Sequence, residues 1–254
     1  MEKLLIRLGI ALLLSCSTAL AAEPTMHLYT EEFPPINFEQ NGKAAGLSTE
    51  IVQEIMRRVN MNEQIEVVPW ARGYKYLSSL PNVCLFATVR NPEREKLFKW
   101  VGPISSATGR MYTRRGGAHY DNLEAARHAD QLLVPREWYV EQYLRAKGFK
   151  NIVSVSNPVE AMRGLSMGRT GLIALDDVTV PATMAAVGMK AEELEPGAVI
   201  GQVIHYIAFS IETPDEVIVR WQKALDAMKA DGTYERIYAK WLPGVKPPGK
   251  NGTH

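Results

Sequence analysis

Cysteine is nearly missing from this 254-residue chain, with only Cys16 and Cys84 present. Cys84 lies inside the apolar run Val83-Cys84-Leu85-Phe86-Ala87 and reads as a buried strand residue, not as a nucleophile or half of a disulfide. No Cys/His cluster has metal-ligand spacing and the five histidines are scattered, so neither a zinc site nor any other metal or cofactor is expected. An excess of either charge is also lacking, at 29 basic against 28 acidic side chains. That balance argues against nucleic acid or an acidic membrane surface as partner. There is no Gly/Ser linker, no internal repeat, no low-complexity segment and no apolar run long enough to span a bilayer.

What is present begins with a leader. Lys3 and Arg7 make a basic start, Leu8 to Leu14 an apolar stretch, and Ala19-Leu20-Ala21-Ala22 a small-residue cleavage site before Glu23. Residues 1–22 therefore read as a secretory signal peptide, and the product as exported. Leu13-Leu14-Ser15-Cys16 loosely resembles a lipobox, but the Ala-rich site is better formed, which favours a soluble product over lipidation at Cys16. Removal of Lys3, Arg7 and Glu2 with the leader leaves 27 basic and 27 acidic side chains.

The remainder, about 230 residues, is long enough for one large domain or two small ones. Strand-like runs at 27–30, 64–68, 83–89, 131–134, 152–155 and 172–175 alternate with amphipathic helices. Ser48 is placed to cap a helix whose Ile51, Val52, Ile55, Met56 and Val59 form one apolar stripe, with Arg57 and Arg58 at its carbonyl end. Asn157-Pro158-Val159-Glu160 and Thr213-Pro214-Asp215-Glu216 are capping-box arrangements, and Gly232 ends the second of these helices. Such alternation predicts an α/β architecture with largely parallel sheets. Arg114-Arg115-Gly116-Gly117 hints at a crossing point between halves, and the Pro/Gly-rich tail from Pro243 to His254 reads as a mobile terminus.

Three stretches in order resemble the amino-acid-type solute-binding proteins of ABC importers (bacterial extracellular solute-binding protein family 3). They are Tyr29-Thr30-Glu31-Glu32-Phe33-Pro34-Pro35-Ile36-Asn37-Phe38 with Gly46 to Val52, Asn91-Pro92-Glu93-Arg94-Glu95 running to Gly102-Pro103, and Asp231-Gly232-Thr233-Tyr234 running to Lys240-Trp241. The resemblance spans the mature chain. It implies a two-lobed periplasmic-binding-protein type II fold with two hinge strands, lobe 1 being residues 23–113 plus 205–254 and lobe 2 residues 114–204. Val203 to Ile211 would be the return hinge. It also implies a monomer that delivers a small polar ligand, foremost an amino acid, to a membrane permease.

Site residues follow from the same resemblance. Arg94 matches the family arginine that grips a ligand carboxylate, a task suited to a planar guanidinium. Asp176 stands where the family has an Asp for the ligand ammonium, at the carboxyl edge of a strand; Asp177 could equally be the inward one, the other capping the following helix. Trp70 and Phe33 align with aromatics that flank the ligand, or they simply pack. Arg72 stands near the cleft or points into solvent, and Glu31, Glu32, Thr88 and Arg90 lie in loops that should face it. Three departures stand out. Arg136-Glu137-Trp138-Tyr139 replaces a small hydroxyl-rich loop, so that Trp138 narrows the pocket or Arg136 acts as a second anion clamp. Gly171 stands where an Asp is usual, and Thr88-Val89-Arg90 replaces a Ser/Thr-rich stretch. A sensor that presents its ligand to a receptor is an alternative function. So is a dehydratase-like enzyme using Glu31, Glu32 or His205, although no catalytic triad or phosphate loop is discernible.

Overall fold

Short apolar runs broken by turn residues fold as the strands they predict, and the stripes between them as helices. The computed structural model describes residues 25–249; the leader, its cleavage site, Cys16 and residues 250–254 of the tail lie outside them. The chain runs β1 (His27–Thr30), β2 (Phe38–Gln40), β3 (Lys43–Ala45), α1 (Leu47–Arg58), β4 (Ile65–Val67), α2 (Trp70–Ser79), β5 (Val83–Val89) and β6 (Phe98–Arg114). It continues through α3 (Leu123–Ala126), β7 (Leu132–Pro135), α4 (Tyr139–Ala146), β8 (Ile152–Val155), α5 (Pro158–Ser166), β9 (Leu172–Asp176) and α6 (Val180–Val187). Last come β10 (Leu194–Ser210), α7 (Asp215–Ala230) and α8 (Thr233–Trp241).

Eight strands hydrogen-bond in the order β4-β1-β5-β10-β6-β9-β7-β8. β4, β1 and β5 are parallel, as are β9, β7 and β8. The expectation of parallel sheets holds for these triplets but not for the centre. There β6 and β10, 17 residues each, pair antiparallel over most of their length. β5 joins this pair through His205–Phe209, and β9 joins it through Gly109–Tyr112. The long strands thus serve two lobes, one built on β1, β4 and β5, the other on β7, β8 and β9. Val89 at the end of β5 lies opposite His205, and Asp176 at the end of β9 lies opposite Gly109. The carboxyl edges of both parallel triplets therefore face each other across the middle of the long pair, the rim where α/β sheets hold ligands.

Most apolar residues of the first lobe are buried, and Ile51, Val52 and Ile55 of the α1 stripe and Cys84 are fully so. Helix starts differ from expectation in two places. Gly46, at φ 113°, is the N-cap of α1, and Ser48 lies inside the helix, buried. A Cβ at position 46 would fall 2.6 Å from the Ile36 carbonyl oxygen, so the close backbone approach there requires glycine. In α7 the N-cap is Pro214, and the Thr213 hydroxyl meets Ser210 3.3 Å away. Asn157 caps α5 as expected, accepting from the Glu160 N–H at 2.9 Å.

Candidate ligand-binding cleft

Loops leaving β1, β4 and β5 bring Glu31, Phe33, Trp70 and Arg94 to the cleft, while α4 and β9 bring Trp138, Tyr139 and Asp176 from the other lobe. His205 of β10 and the apolar Ala87 and Val89 complete the wall. The enclosed space is about 20 Å³, room for roughly one water molecule. The cleft is filled largely by its own side chains.

Arg94 is the most deeply placed cation. It is 1% exposed, and burial lowers its pKa from the usual arginine range. The guanidinium lies over the rings of Tyr74 and Trp70 at 4.9 and 5.6 Å, favourable positions for a desolvated cation. It donates to the Val89 carbonyl at 3.3 Å and, across the cleft, to the Glu137 carbonyl at 3.2 Å and Gln142 Oε1 at 2.9 Å. Trp70 Nε1 donates to the same Glu137 carbonyl at 2.8 Å. The Arg94 Nε is buried with no partner.

Two carboxyl groups share the pocket. Glu31 is buried at 5% exposure and accepts from Trp138 Nε1 at 2.7 Å. Burial first, and the negative Asp176 next among the raising causes, push its pKa up to about 8; the Trp138 bond and Arg94 offset only part of this. At neutral pH Glu31 is therefore largely protonated. Asp176, also buried, accepts from the Tyr139 hydroxyl at 3.0 Å and stands 3.8 Å from His205 Nε2. The other ring nitrogen of His205 meets Ser105 Oγ at 2.9 Å. Phe33 packs edge-on against Trp138 and His205, at 5.1 and 5.7 Å between ring centres. Tyr139 fits because β6 carries Gly109, where a Cβ would overlap the hydroxyl.

Of the residues singled out in the sequence, the structure thus gathers Glu31, Phe33, Trp70, Arg94, Trp138, Asp176 and His205 around one cavity. The others stand elsewhere. Thr88 is buried but its hydroxyl bonds to the Leu85 carbonyl at 3.0 Å, because Ala87 takes the left-handed conformation (φ 59°) and bulges β5. Arg90 is exposed and bidentate with Glu95 at 2.6–2.7 Å. Arg72 and Arg136 are exposed, and neither lines the cavity. Glu32 accepts from the Glu39 N–H at 3.0 Å. Of the two aspartates Asp176 faces inward, while Asp177 is exposed and accepts from the Thr108 N–H at 2.9 Å. Neither caps the following helix with its side chain. Sequence reasoning passed over Tyr139, Gln142 and the Glu137 carbonyl. A backbone acceptor leaves no mark in a sequence, and Tyr139 was visible only as bulk in the substituted loop.

No curated protein matches the chain. Among solved structures, a histidine kinase sensor domain with similarity to periplasmic binding proteins superposes with a TM-score of 0.79 at 23% identity, covering 88% of this chain and 98% of its own. An ancestral arginine-binding protein bound to arginine gives 0.75 at 22%, over 85% and 97%. The GluR0 ligand-binding core from Nostoc punctiforme in complex with L-glutamate gives 0.74 at 17%, over 86% and 99%. These likenesses establish the two-lobed binding-protein fold. A family model matches residues 27–244, nearly all of the described chain, and the protein belongs to the bacterial extracellular solute-binding proteins, family 3.

Proposed function

We propose that the protein captures a small polar solute carrying an amine, an amino acid foremost, between its lobes and hands it unchanged to the permease of an ABC importer. The observation that carries this reading is the convergence of a buried cation, Arg94, and buried carboxyl groups, Glu31 and Asp176, on one aromatic-walled cavity. Opposite charges held apart on facing strand edges suit a zwitterion. Export by the leader of residues 1–22 and a monomeric, periplasmic product belong to the same reading, as do lobes of residues 23–113 with 205–254 and of residues 114–204. Closure would bend β6 and β10, the two segments that pass between the lobes, and the permease would read the closed form. A thermal-shift panel of amino acids, amines and organic acids tests it. A solute at about a hundred times its Kd adds roughly 2.7 kcal/mol of stability. A shift with amino acids that Arg94→Met abolishes supports the proposal; silence with every amine-bearing solute overturns it.

The likeness to a histidine kinase sensor domain favours a second reading, a binding protein that presents its solute to a sensor. Co-purification of the solute-loaded protein with a membrane kinase and not with a permease would select it.

A further inference from the structure

Three polar side chains that the β1/β4/β5 lobe sends into the cleft are already met by one short segment of the other lobe. Glu31 accepts from Trp138 Nε1 at 2.7 Å. Trp70 and Arg94 both donate to the Glu137 carbonyl, at 2.8 and 3.2 Å, and Arg94 also donates to Gln142 at 2.9 Å. The residue after Trp138, Tyr139, bonds to Asp176. One stretch of six residues thus offers an acceptor to the cleft's cation and a donor to each of its two carboxyl groups.

The backbone of that stretch is held in place at a cost. Glu137 is a non-glycine residue at φ 60°, a conformation worth about 1–2 kcal/mol of strain that persists only where the surroundings impose it. What imposes it is Glu141, which accepts from the Glu137 N–H at 2.6 Å. Glu141 is itself buried and tied by Arg145 at 2.8 Å and by the Ser154 hydroxyl. The turn that presents the Glu137 carbonyl therefore stands on a small ionic network outside the cavity. Little space remains beside it, about 20 Å³, far below the several hundred Å³ of a typical small-molecule pocket.

We infer that the Glu137–Gln142 segment is an internal occupant of the cleft: it closes the lobes through its own contacts, and a solute enters only by displacing it. The segment, and not Arg94 alone, then decides which solutes are accepted, because a successful one must replace both the acceptor on Arg94 and the donor on Asp176. Its apparent affinity is reduced by the fraction of molecules in which the segment has let go. Only the part concerning solutes rests on the capture reading above; the closing contacts stand without it.

Small-angle scattering of the wild-type protein without added solute, beside a Trp138→Phe/Tyr139→Phe double variant, tests the closing contacts. Both substitutions leave an aromatic ring in place; Trp138→Phe deletes the donor that crosses the cleft to Glu31, which should lower the closing constant by about fivefold or more, while Tyr139→Phe deletes the donor to Asp176 within the same lobe and bears on solute acceptance alone. Wild type should scatter as the closed form, and the double variant should show a larger radius of gyration. Identical profiles, or an expanded wild type, overturn the inference. If the double variant does not fold, Gln142→Ala, at a half-buried position, makes the same comparison through Arg94. The common L-amino acids are then run as a thermal-shift panel on both proteins. Larger shifts in the variant are expected, and equal or smaller ones overturn the displacement step. Silence in both proteins, with the scattering difference intact, counts against amino-acid capture and leaves the internal occupant standing.

Discussion

Glu31→Gln should stabilise the protein, and by an amount that depends on pH. A carboxyl group of ordinary pKa 4.5 is raised to about 8 here, chiefly by burial. A group raised on folding contributes its full stability below the unfolded value and loses it as pH climbs through the folded value. For Glu31 that window runs from pH 4.5 to about 8. At pH 7 the cost of keeping the side chain protonated is about 3 kcal/mol, at ~1.4 kcal/mol per pH unit. Glutamine is neutral at every pH and keeps an oxygen for the Trp138 indole, so it removes this cost. Its added amide N–H groups need partners, and Asp176 is the carboxylate available in the cavity. Allowing about 1 kcal/mol for an imperfect match, the net gain at pH 7 is roughly 2 kcal/mol. Urea denaturation of both proteins from pH 4.5 to 8.5 measures it, because other titrating groups cancel in the difference. The midpoints should nearly coincide, or slightly disfavour the variant, at pH 4.5 and separate in its favour as pH rises, with an unchanged m-value. Parallel pH profiles, or a variant that weakens further at pH 8, would refute the assignment of a buried, protonated Glu31.

Three further outcomes follow from the geometry. Arg94→Met removes three donated hydrogen bonds and a stacked cation; it should weaken solute binding by at least about 30-fold, equivalent to ~2 kcal/mol, in calorimetric titration. Gly109→Ala puts a methyl against the Tyr139 hydroxyl and should cost about 1–3 kcal/mol of stability, with much of that recovered in a Tyr139→Phe background, a coupling that a double-mutant cycle reads directly. Arg72→Ala, exposed and away from the cavity, should change unfolding free energy by no more than about 0.5 kcal/mol, and Arg90→Ala, which also gives up the Glu95 pair and the Trp100 and Tyr206 rings, by about 1 kcal/mol; both should leave titration curves unaltered.

Local chemistry was legible where one residue type has one good use. The α1 stripe, the apolar run holding Cys84 and the Asn157 cap could be read directly, because burial periodicity and capping depend on near neighbours in sequence. Ser48 misled for the same reason: as a local cap it is sound, but Ile36 crowds the backbone at Gly46 and moves the helix start upstream. The long antiparallel pair of β6 and β10 was only partly visible, since nothing local distinguishes a strand that serves two lobes from two strands that serve one each.

The sequence by itself determined the α/β class, the family, and the arrival of Arg94, Asp176 and the aromatics at strand ends. These follow from motifs and from side-chain alternation along single segments. Which arginines face the cleft was decided only in three dimensions. Arg94 lies against two stacked rings and accepts burial, whereas Arg90 is held outside by Glu95. The same is true of Glu31, whose proton affinity is set by burial and by an Asp176 carboxylate 145 positions away in the chain. A desolvation cost is a property of the surroundings, and the surroundings of Glu31 come from both lobes.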